Sequence, residues 1–228
     1  MKILHVSDTH TNFIQFPQNH NFDIIVHSGD MFPDSRYLYS NVFKHKEEQL
    51  KWFRANLQNY KKWIDNKPFL FVLGNHDFIS DDIVEQMLKD VNINAISLHN
   101  KLFNTESIGL EPVNFYGFPY VPPINGKFAY ETNSREMVDR VNELVSVAKS
   151  NYIDVIVSHA PIYNVLDRAF GGYKIGNVNL RQAFDYKLEQ HELPIAVLFG
   201  HCHEDNGIVN YNNIICSNAA TIYNLVNI

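Results

Sequence analysis

Side chains that can bind metals follow five separate apolar segments of this 228-residue chain. In each segment the apolar run ends and polar side chains begin almost at once. These side chains are Asp8 and His10, Asp30, Asn75 and His76, His159, and His201 with His203. One histidine after a strand is weak evidence for a site, but the same placement in five segments indicates a shared metal centre.

The residue types indicate the chemistry of such a centre. Imidazole and carboxylate groups suit borderline and hard divalent metals, and Asn75 adds a neutral amide oxygen. Asp8 and Asp30 would be the charged ligands, and Asp30, which is central in the set, is our choice for a carboxylate shared by two ions. A pair of divalent cations with one hydroxide would keep a net positive charge beside two carboxylates, which favours an anionic phosphoester as substrate.

Buried strands are predicted to position these residues. The apolar runs lack a clean two-residue alternation, as expected for strands that are covered on both faces. They occupy residues 3–6, 23–27, 69–73, 154–157 and 195–199. Ligands of α/β sheets bind outside the carboxyl ends of the strands, so five such strands side by side would bring the polar residues to one edge. Further strands are predicted at 94–98, 101–103 and 113–117, with a closing hairpin of 208–210 and 214–216.

Helices are predicted between the strands. Apolar residues at spacings of three and four predict an amphipathic helix with one buried face, made of Leu50, Phe53, Leu57, Tyr60 and Ile64. Ser80 and Ser134 are predicted to cap two further helices, and a fourth helix is predicted around residues 180–190. Strands that alternate with helices imply an α/β layered fold, which we expect to be a single domain spanning residues 1–228.

Composition limits the classes of partner. Hydrophobic residues make up 45% of the chain and charged residues 19%, which is enough for a sizeable core. The formal net charge of -6 argues against binding long nucleic acids, which requires a basic face. No apolar run approaches the roughly 20 residues of a membrane span, so no membrane partner is expected. The two cysteines and the absence of a leader segment favour a cytoplasmic location.

Taken in order, the motifs resemble those of the calcineurin-like metallophosphoesterases. The family pattern is Asp-x-His, Gly-Asp, Gly-Asn-His-Asp/Glu, a lone His, and Gly-His-x-His. Here it occurs as Asp8–His10, Gly29–Asp30, Gly74–Asp77, His159 and Gly200–His203. The resemblance runs from residue 8 to residue 203, and every ligand position of the pattern is filled.

The resemblance implies a four-layer α/β/β/α sandwich with a dinuclear metal centre. One ion would be bound by Asp8, His10, Asp30 and His203, and the other by Asp30, Asn75, His159 and His201. A hydroxide bridging the two ions would attack phosphorus, and His76 would serve as general acid or stabilise the leaving group. The two divalent ions would be manganese, iron, zinc or nickel, of which manganese is favoured.

Shorter similarities point to a branch of the family. The segments 116–120, 158–161 and 203–208 resemble the compact metallophosphoesterase-domain type, some members of which act on cyclic nucleotides. The chain departs from the Ser/Thr protein phosphatases in the segment Met31–Arg36, which follows Gly-Asp. This branch implies a phosphodiesterase that acts on a small partner, namely a cyclic nucleotide or similar diester.

Four residues outside the ligand set are candidates for supporting or substrate-binding roles. Asp34 would orient His76, although a turn role beside Pro33 is an equal alternative. Asp77 is expected to fix its loop and orient its neighbours. Arg36 and Arg168 are candidate phosphate clamps by their sequence position alone.

Other functions compete with a phosphodiesterase. A phosphomonoesterase or protein phosphatase must hold a dianion, and the chain has no dense arginine cluster that would do so. A nuclease on short single strands is a second alternative. The acidic net charge argues against long duplexes as substrates but not against short single strands. A non-catalytic scaffold of the same fold is the third alternative, and the intact ligand set argues against it.

Overall fold

Within residues 1–16, 21–34, 40–187 and 194–228, which a computed structural model describes, the chain forms two β-sheets. The first sheet contains β1 (Lys2–Val6), β2 (Ile24–Ser28), β3 (Phe69–Val72), β4 (Ala95–Ser97) and β11 (Tyr223–Asn227). The second sheet contains β5 (Leu102–Asn104), β6 (Asn114–Phe118), β7 (Val155–Ser158), β8 (Ala196–Phe199), β9 (Gly207–Tyr211) and β10 (Ile214–Asn218).

Parallel pairing dominates the middle of both sheets. The first sheet has the order β11-β1-β2-β3-β4, and only the β11–β1 pair among these described strands is antiparallel. The second has the order β5-β6-β7-β8-β10-β9, with antiparallel pairs at both edges and parallel pairs between them. The strands that precede the metal-binding motifs are therefore interior and parallel.

Four helices cover the outer faces of the sheets in the described part of the chain. These are α1 (Val42–Ile64), α2 (Asp81–Asp90), α3 (Ser134–Ser150) and α4 (Val178–Gln182). Alternate residues of β3 show how the layers divide, because Leu70 and Val72 face the second sheet whereas Phe69 and Phe71 face α1 and α2. The α3 and α4 side chains pack on the outer face of the second sheet. The expected four-layer α/β/β/α sandwich is confirmed.

Helix ends differ in detail from the sequence prediction. Asn133, and not Ser134, caps α3, because its side chain accepts from the backbone N–H of Glu136 while the Glu136 carboxylate accepts from that of Asn133. The helix expected around 180–190 begins earlier, as α4, and continues as a π-turn over Ala183–Lys187. Residues 188–190 lie outside the described residues. None of the described helices has the length and apolarity needed to cross a membrane.

The strand β11 was not predicted from the sequence. It pairs antiparallel with β1, placing Leu225 opposite Leu4. Most of its residues are only partly buried, and asparagines interrupt its apolar residues, so the segment lacks the continuous apolar run by which the interior strands were recognised. It completes the edge of the first sheet.

Gly117 allows the chain to cross from the first sheet to the second. A Cβ atom at this position would lie 2.1 Å from the carbonyl oxygen of Leu98. This close approach lets the Asn100 N–H donate to the Gly117 carbonyl at 3.0 Å, where the two sheets meet beyond β4. Backbone atoms make the contact on both sides, so neither partner can give way by a side-chain rotation.

We expect Gly117→Ala to destabilise the fold by about 1–3 kcal/mol, because the added methyl group overpacks the contact between the two sheets. Urea unfolding of the purified variant measures this change. Gly126→Ala is the control, since a Cβ at that position meets open space and only its positive φ opposes the substitution. A Gly117→Ala loss no larger than the Gly126→Ala loss would contradict the steric account.

Candidate metal centre

The seven expected metal ligands lie at the carboxyl ends of interior strands of both sheets. Asp8 and His10 follow β1, Asp30 follows β2, and Asn75 follows β3 in the first sheet. In the second sheet His159 follows β7, and His201 and His203 follow β8. The sequence pattern suggested the edge of one row of strands. The residues converge instead where two sheets meet, because the face-to-face packing of β2 and β3 on β7 brings the strand ends together.

Left-handed turns aim these side chains into the space between the sheets. Asp8, Asp30 and His201 have φ values of 51°, 57° and 69°. A non-glycine residue in this region costs about 1–2 kcal/mol, a strain that concentrates at functional sites. Backbone hydrogen bonds hold the turns in place, from Asp8 N–H to the Gly29 carbonyl at 2.9 Å and from His10 N–H to the Asp30 carbonyl at 3.1 Å.

Glycines make room for the converging side chains. A Cβ on Gly74 would lie 2.2 Å from Asp30 Oδ1, and a Cβ on Gly200 would lie 2.1 Å from Asp8 Oδ2. Both distances are far below van der Waals contact. Gly74 and Gly200 are therefore required because a carboxylate oxygen lies where a side chain would begin.

One group of donor atoms lies around Asp8. Its Oδ1 is 3.1 Å from His203 Nε2, and its Oδ2 accepts from the backbone N–H of His201 at 2.9 Å. The donor atoms of Asp8, His10 and His203 all lie within 4.8 Å of one another. Asp8 is buried, whereas His10 and His203 are partly accessible, so this group opens to solvent.

A second group is buried around His159. Its Nε2 lies 2.9 Å from Asn75 Oδ1 and 3.3 Å from Asp30 Oδ2. Its Nδ1 lies 2.8 Å from the Ser28 carbonyl oxygen, which only accepts hydrogen bonds, so the ring hydrogen belongs on Nδ1. In the neutral ring the Nε2 lone pair would face two further oxygen atoms, so either a proton or a metal ion belongs between them.

The electrostatics agree with that requirement. Burial lowers the pKa of His159, but the adjacent Asp30 carboxylate outweighs burial and raises the pKa to about 9. Although burial opposes ionisation, His159 holds the pKa of Asp30 well below its usual value. The site thus attracts positive charge to the very atoms that a metal ion would share. The donors present, carboxylate and amide oxygens with imidazole nitrogens, fit divalent metals.

The remaining expected ligand, His201, lies at the rim of the second group. Its ring centroid is 5.1 Å from that of His159. Among the described residues it belongs to none of the groups whose donor atoms lie within 4.8 Å of one another. Burial lowers the pKa of His201 to about 4, so the ring is neutral and its lone pair is free of a proton at neutral pH.

His76 faces the cleft beside the first group, and its donor atom lies within 4.8 Å of those of His10 and Asp34. Its Nδ1 lies 2.6 Å from Asp34 Oδ1, and its backbone N–H donates to Asp30 Oδ1 at 2.8 Å. Burial lowers the pKa of His76, but the hydrogen bond to Asp34 and the charge of Asp30 raise it to about 8. This contact corresponds to the first of the two roles expected for Asp34, in which it orients His76, and not to a turn role beside Pro33.

Asp77 ties two of the motif loops together. Its Oδ1 accepts from the N–H groups of Met31 and Phe32 at 2.9 and 3.0 Å, and its Oδ2 accepts from that of Gly74 at 2.8 Å. Burial and the Asp30 carboxylate raise its pKa to about 7, against the lowering effect of these donors. These three partners are all backbone groups, so the contacts fit the loop-fixing role that we expected for Asp77.

The two arginines singled out as phosphate clamps have different outcomes. Arg168 is paired with Asp205, with Nη2 2.8 Å from Oδ1 and Nε 3.2 Å from the same carboxylate. Its loop nevertheless reaches the cleft, where Ala169 and Phe170 line the wall. Arg36 lies outside the described residues.

Gln49 supports the site and was missed from the sequence. Its side-chain amide donates to the carbonyl oxygens of His76 at 2.6 Å and Pro33 at 3.2 Å, and it accepts from Phe78 N–H at 2.8 Å. The sequence contained a signal for this role. Gln49 lies four residues before Phe53 and therefore on the same buried face of α1. A glutamine on an apolar helix face indicates a buried polar contact.

Two buried histidines form a supporting layer beneath the ligands. His5 lies 2.8 Å from the Ser217 hydroxyl of β10 and 2.9 Å from the Ser28 hydroxyl of β2, so it links the two sheets. His27 accepts from Gly29 N–H at 3.1 Å and meets the Thr9 hydroxyl at 3.0 Å. Burial lowers the pKa of both rings to about 3, so they are neutral. Neither ring belongs to the ligand set expected from the sequence.

An open cleft of about 510 Å³ lies over the donor groups. Its described walls carry imidazoles, carboxylates and small or aromatic side chains. The residues are His10, Asp30, Asp34, His76, Ala169, Phe170, His201, His203 and Glu204. No lysine or arginine belongs to this lining in the part of the chain that the structure describes.

Comparison with known proteins identifies similar sequences and folds. A family model described as calcineurin-like phosphoesterase matches residues 1–205. The chain is 26% identical to UPF0046 protein K07C11.7 of Caenorhabditis elegans, over 96% of this chain and 69% of that protein.

Solved structures extend the likeness to the fold. The protein TT1561 of Thermus thermophilus aligns with a TM-score of 0.60 and 12% identity, over 96% of this chain and 88% of that chain. A phosphopantetheinyl hydrolase from Mycobacterium tuberculosis aligns with a TM-score of 0.53 and 13% identity, over 97% and 89%. At such identities the structures show the shared fold alone.

We expect Asp77→Asn to destabilise the protein by about 1–3 kcal/mol, because the amide nitrogen would face the Gly74 N–H and leave that buried donor without an acceptor. Urea unfolding at neutral pH measures the change. Asp139→Asn, on the exposed face of α3, is the matched control. Equal stabilities of the two variants would show that Asp77 does not hold the loops together.

Proposed function

The chain belongs to the calcineurin-like phosphoesterase family, whose members hydrolyse phosphoesters with metal ions, and we propose that it is a phosphodiesterase acting on a small diester such as a cyclic nucleotide. The observation that carries this proposal is the position of Asp30. Its Oδ2 lies between His10 Nε2 at 3.8 Å and His159 Nε2 at 3.3 Å, one nitrogen from each donor group. A carboxylate in that position can serve two ions.

The proposed ligand sets follow from this sharing. Asp8, His10 and His203 would hold one ion and Asn75, His159 and His201 the other, with Asp30 between them. When bound, two divalent cations would acidify water and neutralise charge on the phosphate oxygens. The donor set fits manganese, iron, zinc and nickel. Manganese is our choice for reconstitution.

His76 is proposed as the proton donor to the leaving group. Asp34 accepts from Nδ1–H and holds the ring, which leaves Nε2–H for the substrate. A water molecule would release one proton to solvent as its oxygen forms a bond to phosphorus, while the bond from phosphorus to the leaving oxygen breaks. The bonding electron pair would stay on the leaving oxygen, which takes the proton from Nε2. Against the lowering effect of burial, the hydrogen bond to Asp34 and the charge of Asp30 raise the pKa of His76 to about 8, which favours the protonated ring that this role needs.

The charge of the cleft supports a diester over a monoester. A monoester dianion needs positive side chains beyond the metal ions, whereas Asp34 and Glu204 give the described walls negative charge. Arg168, which the sequence suggested as a phosphate clamp, is paired instead with Asp205. A diester carries one negative charge and requires no further cation.

We expect manganese-loaded protein to hydrolyse bis(p-nitrophenyl) phosphate with a kcat/KM at least about 10-fold above that for p-nitrophenyl phosphate. Release of p-nitrophenolate measures both reactions at one pH. Metal-free protein is the control and should release none. Turnover of the monoester alone would replace the diesterase proposal with a phosphomonoesterase.

We expect His76→Ala to lower kcat about 100- to 10,000-fold on a diester with an alkoxide leaving group, such as a cyclic nucleotide, because the strongly basic leaving oxygen loses its proton donor. Its manganese content should stay at the wild-type level, as measured by elemental analysis. Asp30→Asn is the contrasting variant, since it should lose bound metal and turnover together. A His76→Ala protein with unchanged kcat would remove His76 from the reaction.

A further inference from the structure

A second cavity, with a volume of about 550 Å³, adjoins the metal centre. It shares His76 and His201 with the open cleft and also touches Asn75. The rest of its wall is chiefly apolar and is built from two loops. One loop contributes Pro122, Pro123, Ile124 and Phe128, and the other contributes Tyr163, Ile175, Gly176 and Val178, with Lys174 beside them.

Backbone contacts hold the first loop in shape. The Glu131 carboxylate accepts from the N–H groups of Gly126, Lys127 and Phe128 at 2.7, 3.1 and 3.2 Å. The Ala129 N–H donates to the Asn75 carbonyl at 2.9 Å, which fastens the loop to a proposed metal ligand. The Phe128 ring then lies 4.9 Å from the His76 ring, measured between centroids.

The second loop is packed just as closely. The Asn177 N–H donates to the Pro161 carbonyl at 2.8 Å, and the Tyr163 N–H donates to the Asn177 carbonyl at 3.3 Å. A Cβ on Gly176 would lie 2.7 Å from the Tyr163 Cα, so the backbone segments are in contact. Contacts within the chain therefore hold both walls in shape, as is usual for small-molecule pockets.

The two spaces beside His76 differ in chemistry. The open cleft is lined by histidines and carboxylates, whereas proline, isoleucine, valine and phenylalanine dominate the second cavity. Apart from Lys174, whose ammonium group donates to Asn164, and the two histidines shared with the cleft, this lining suits an apolar ring better than a phosphate. At its mouth Ile124 is 48% exposed and Val178 is 47% exposed, so a ligand that covers them gains by removing apolar surface from water.

We propose that this apolar pocket, defined by Ile124, Phe128, Ile175 and Val178, binds the leaving group of the diester and selects an aromatic or heteroaromatic ring over a small alkyl group. The proposal rests on the proposed function, because it needs the phosphate at the metal centre. The reason is position: the pocket opens beside His76, the group proposed to protonate the leaving oxygen.

Calorimetric binding to manganese-loaded protein tests the pocket, with released phenol or methanol measured in the same samples so that hydrolysis is not read as binding. Diphenyl phosphate is the aromatic probe, dimethyl phosphate is the alkyl probe, and inorganic phosphate reports on the metal centre alone. The test variant is Ile124→Ser with Val178→Ser. The matched control is Ile208→Ser with Val209→Ser on β9, which replaces the same residue types at 47% and 39% exposure.

We expect wild-type protein to bind diphenyl phosphate about 10-fold or more tightly than dimethyl phosphate. This preference should disappear in the pocket variant and persist in the β9 control, while all three proteins bind inorganic phosphate equally. The KM for bis(p-nitrophenyl) phosphate should rise in the pocket variant alone, with kcat nearly unchanged.

Two outcomes separate failure of the pocket from failure of the function. If the pocket variant keeps the wild-type preference for diphenyl phosphate while phosphate binding and diester hydrolysis are intact, the pocket proposal is overturned and the phosphodiesterase proposal stands. If wild-type protein binds none of the three probes and hydrolyses neither nitrophenyl ester, both proposals are overturned.

Discussion

The convergence of the lone pairs of His159, Asn75 and Asp30 is the constraint on which the rest of the site depends. A buried carboxylate among neutral acceptors is costly unless a cation shares the space. The surrounding structure makes this arrangement unavoidable: the Ser28 carbonyl fixes the His159 tautomer, and the backbone N–H of His76 fixes Asp30 Oδ1. Affinity for positive charge is therefore a property of the folded chain, present before any ion arrives.

Two sheets packed face to face, each with parallel strands in its middle, make that convergence possible. Each sheet alone would present its strand ends in a row, about 4.8 Å apart from strand to strand. Packing β2 and β3 against β7 adds a second row opposite the first, so donors surround a volume and do not merely line an edge. The left-handed turns after β1, β2 and β8 then bend the side chains inward. Their strain is balanced by the backbone bonds between neighbouring loops.

Much of this architecture could be predicted from the sequence, for physical reasons. Interior strands are buried on both faces, so they are continuous apolar runs, and each run ends where polar side chains enter the site. Which sheet each strand joins is not encoded in such a run, so the position of the site between two sheets could not be derived from the pattern. Only the family resemblance implied the four layers.

Contacts made by polar side chains were harder to predict. Asp34 reaches His76 across 42 residues of sequence, and spacing alone could not separate that contact from a local turn. Asn133 and Ser134 are both good caps, and the choice between them depends on Glu136 lying three residues after Asn133. β11 has too few apolar residues to stand out, and its identity as a strand depends on β1 beside it.

Gln49 has a consequence for motion. Its amide spans the Pro33 carbonyl, the His76 carbonyl and the Phe78 N–H, so one side chain of α1 restrains loops that follow different strands. Neither loop can swing outward unless the helix shifts or the amide releases its hold. The hydrogen on the Phe78 nitrogen would then exchange with deuterium only during such an excursion. Its exchange rate would report how often the cleft over the donor groups loosens, in a protein at rest and with no substrate present.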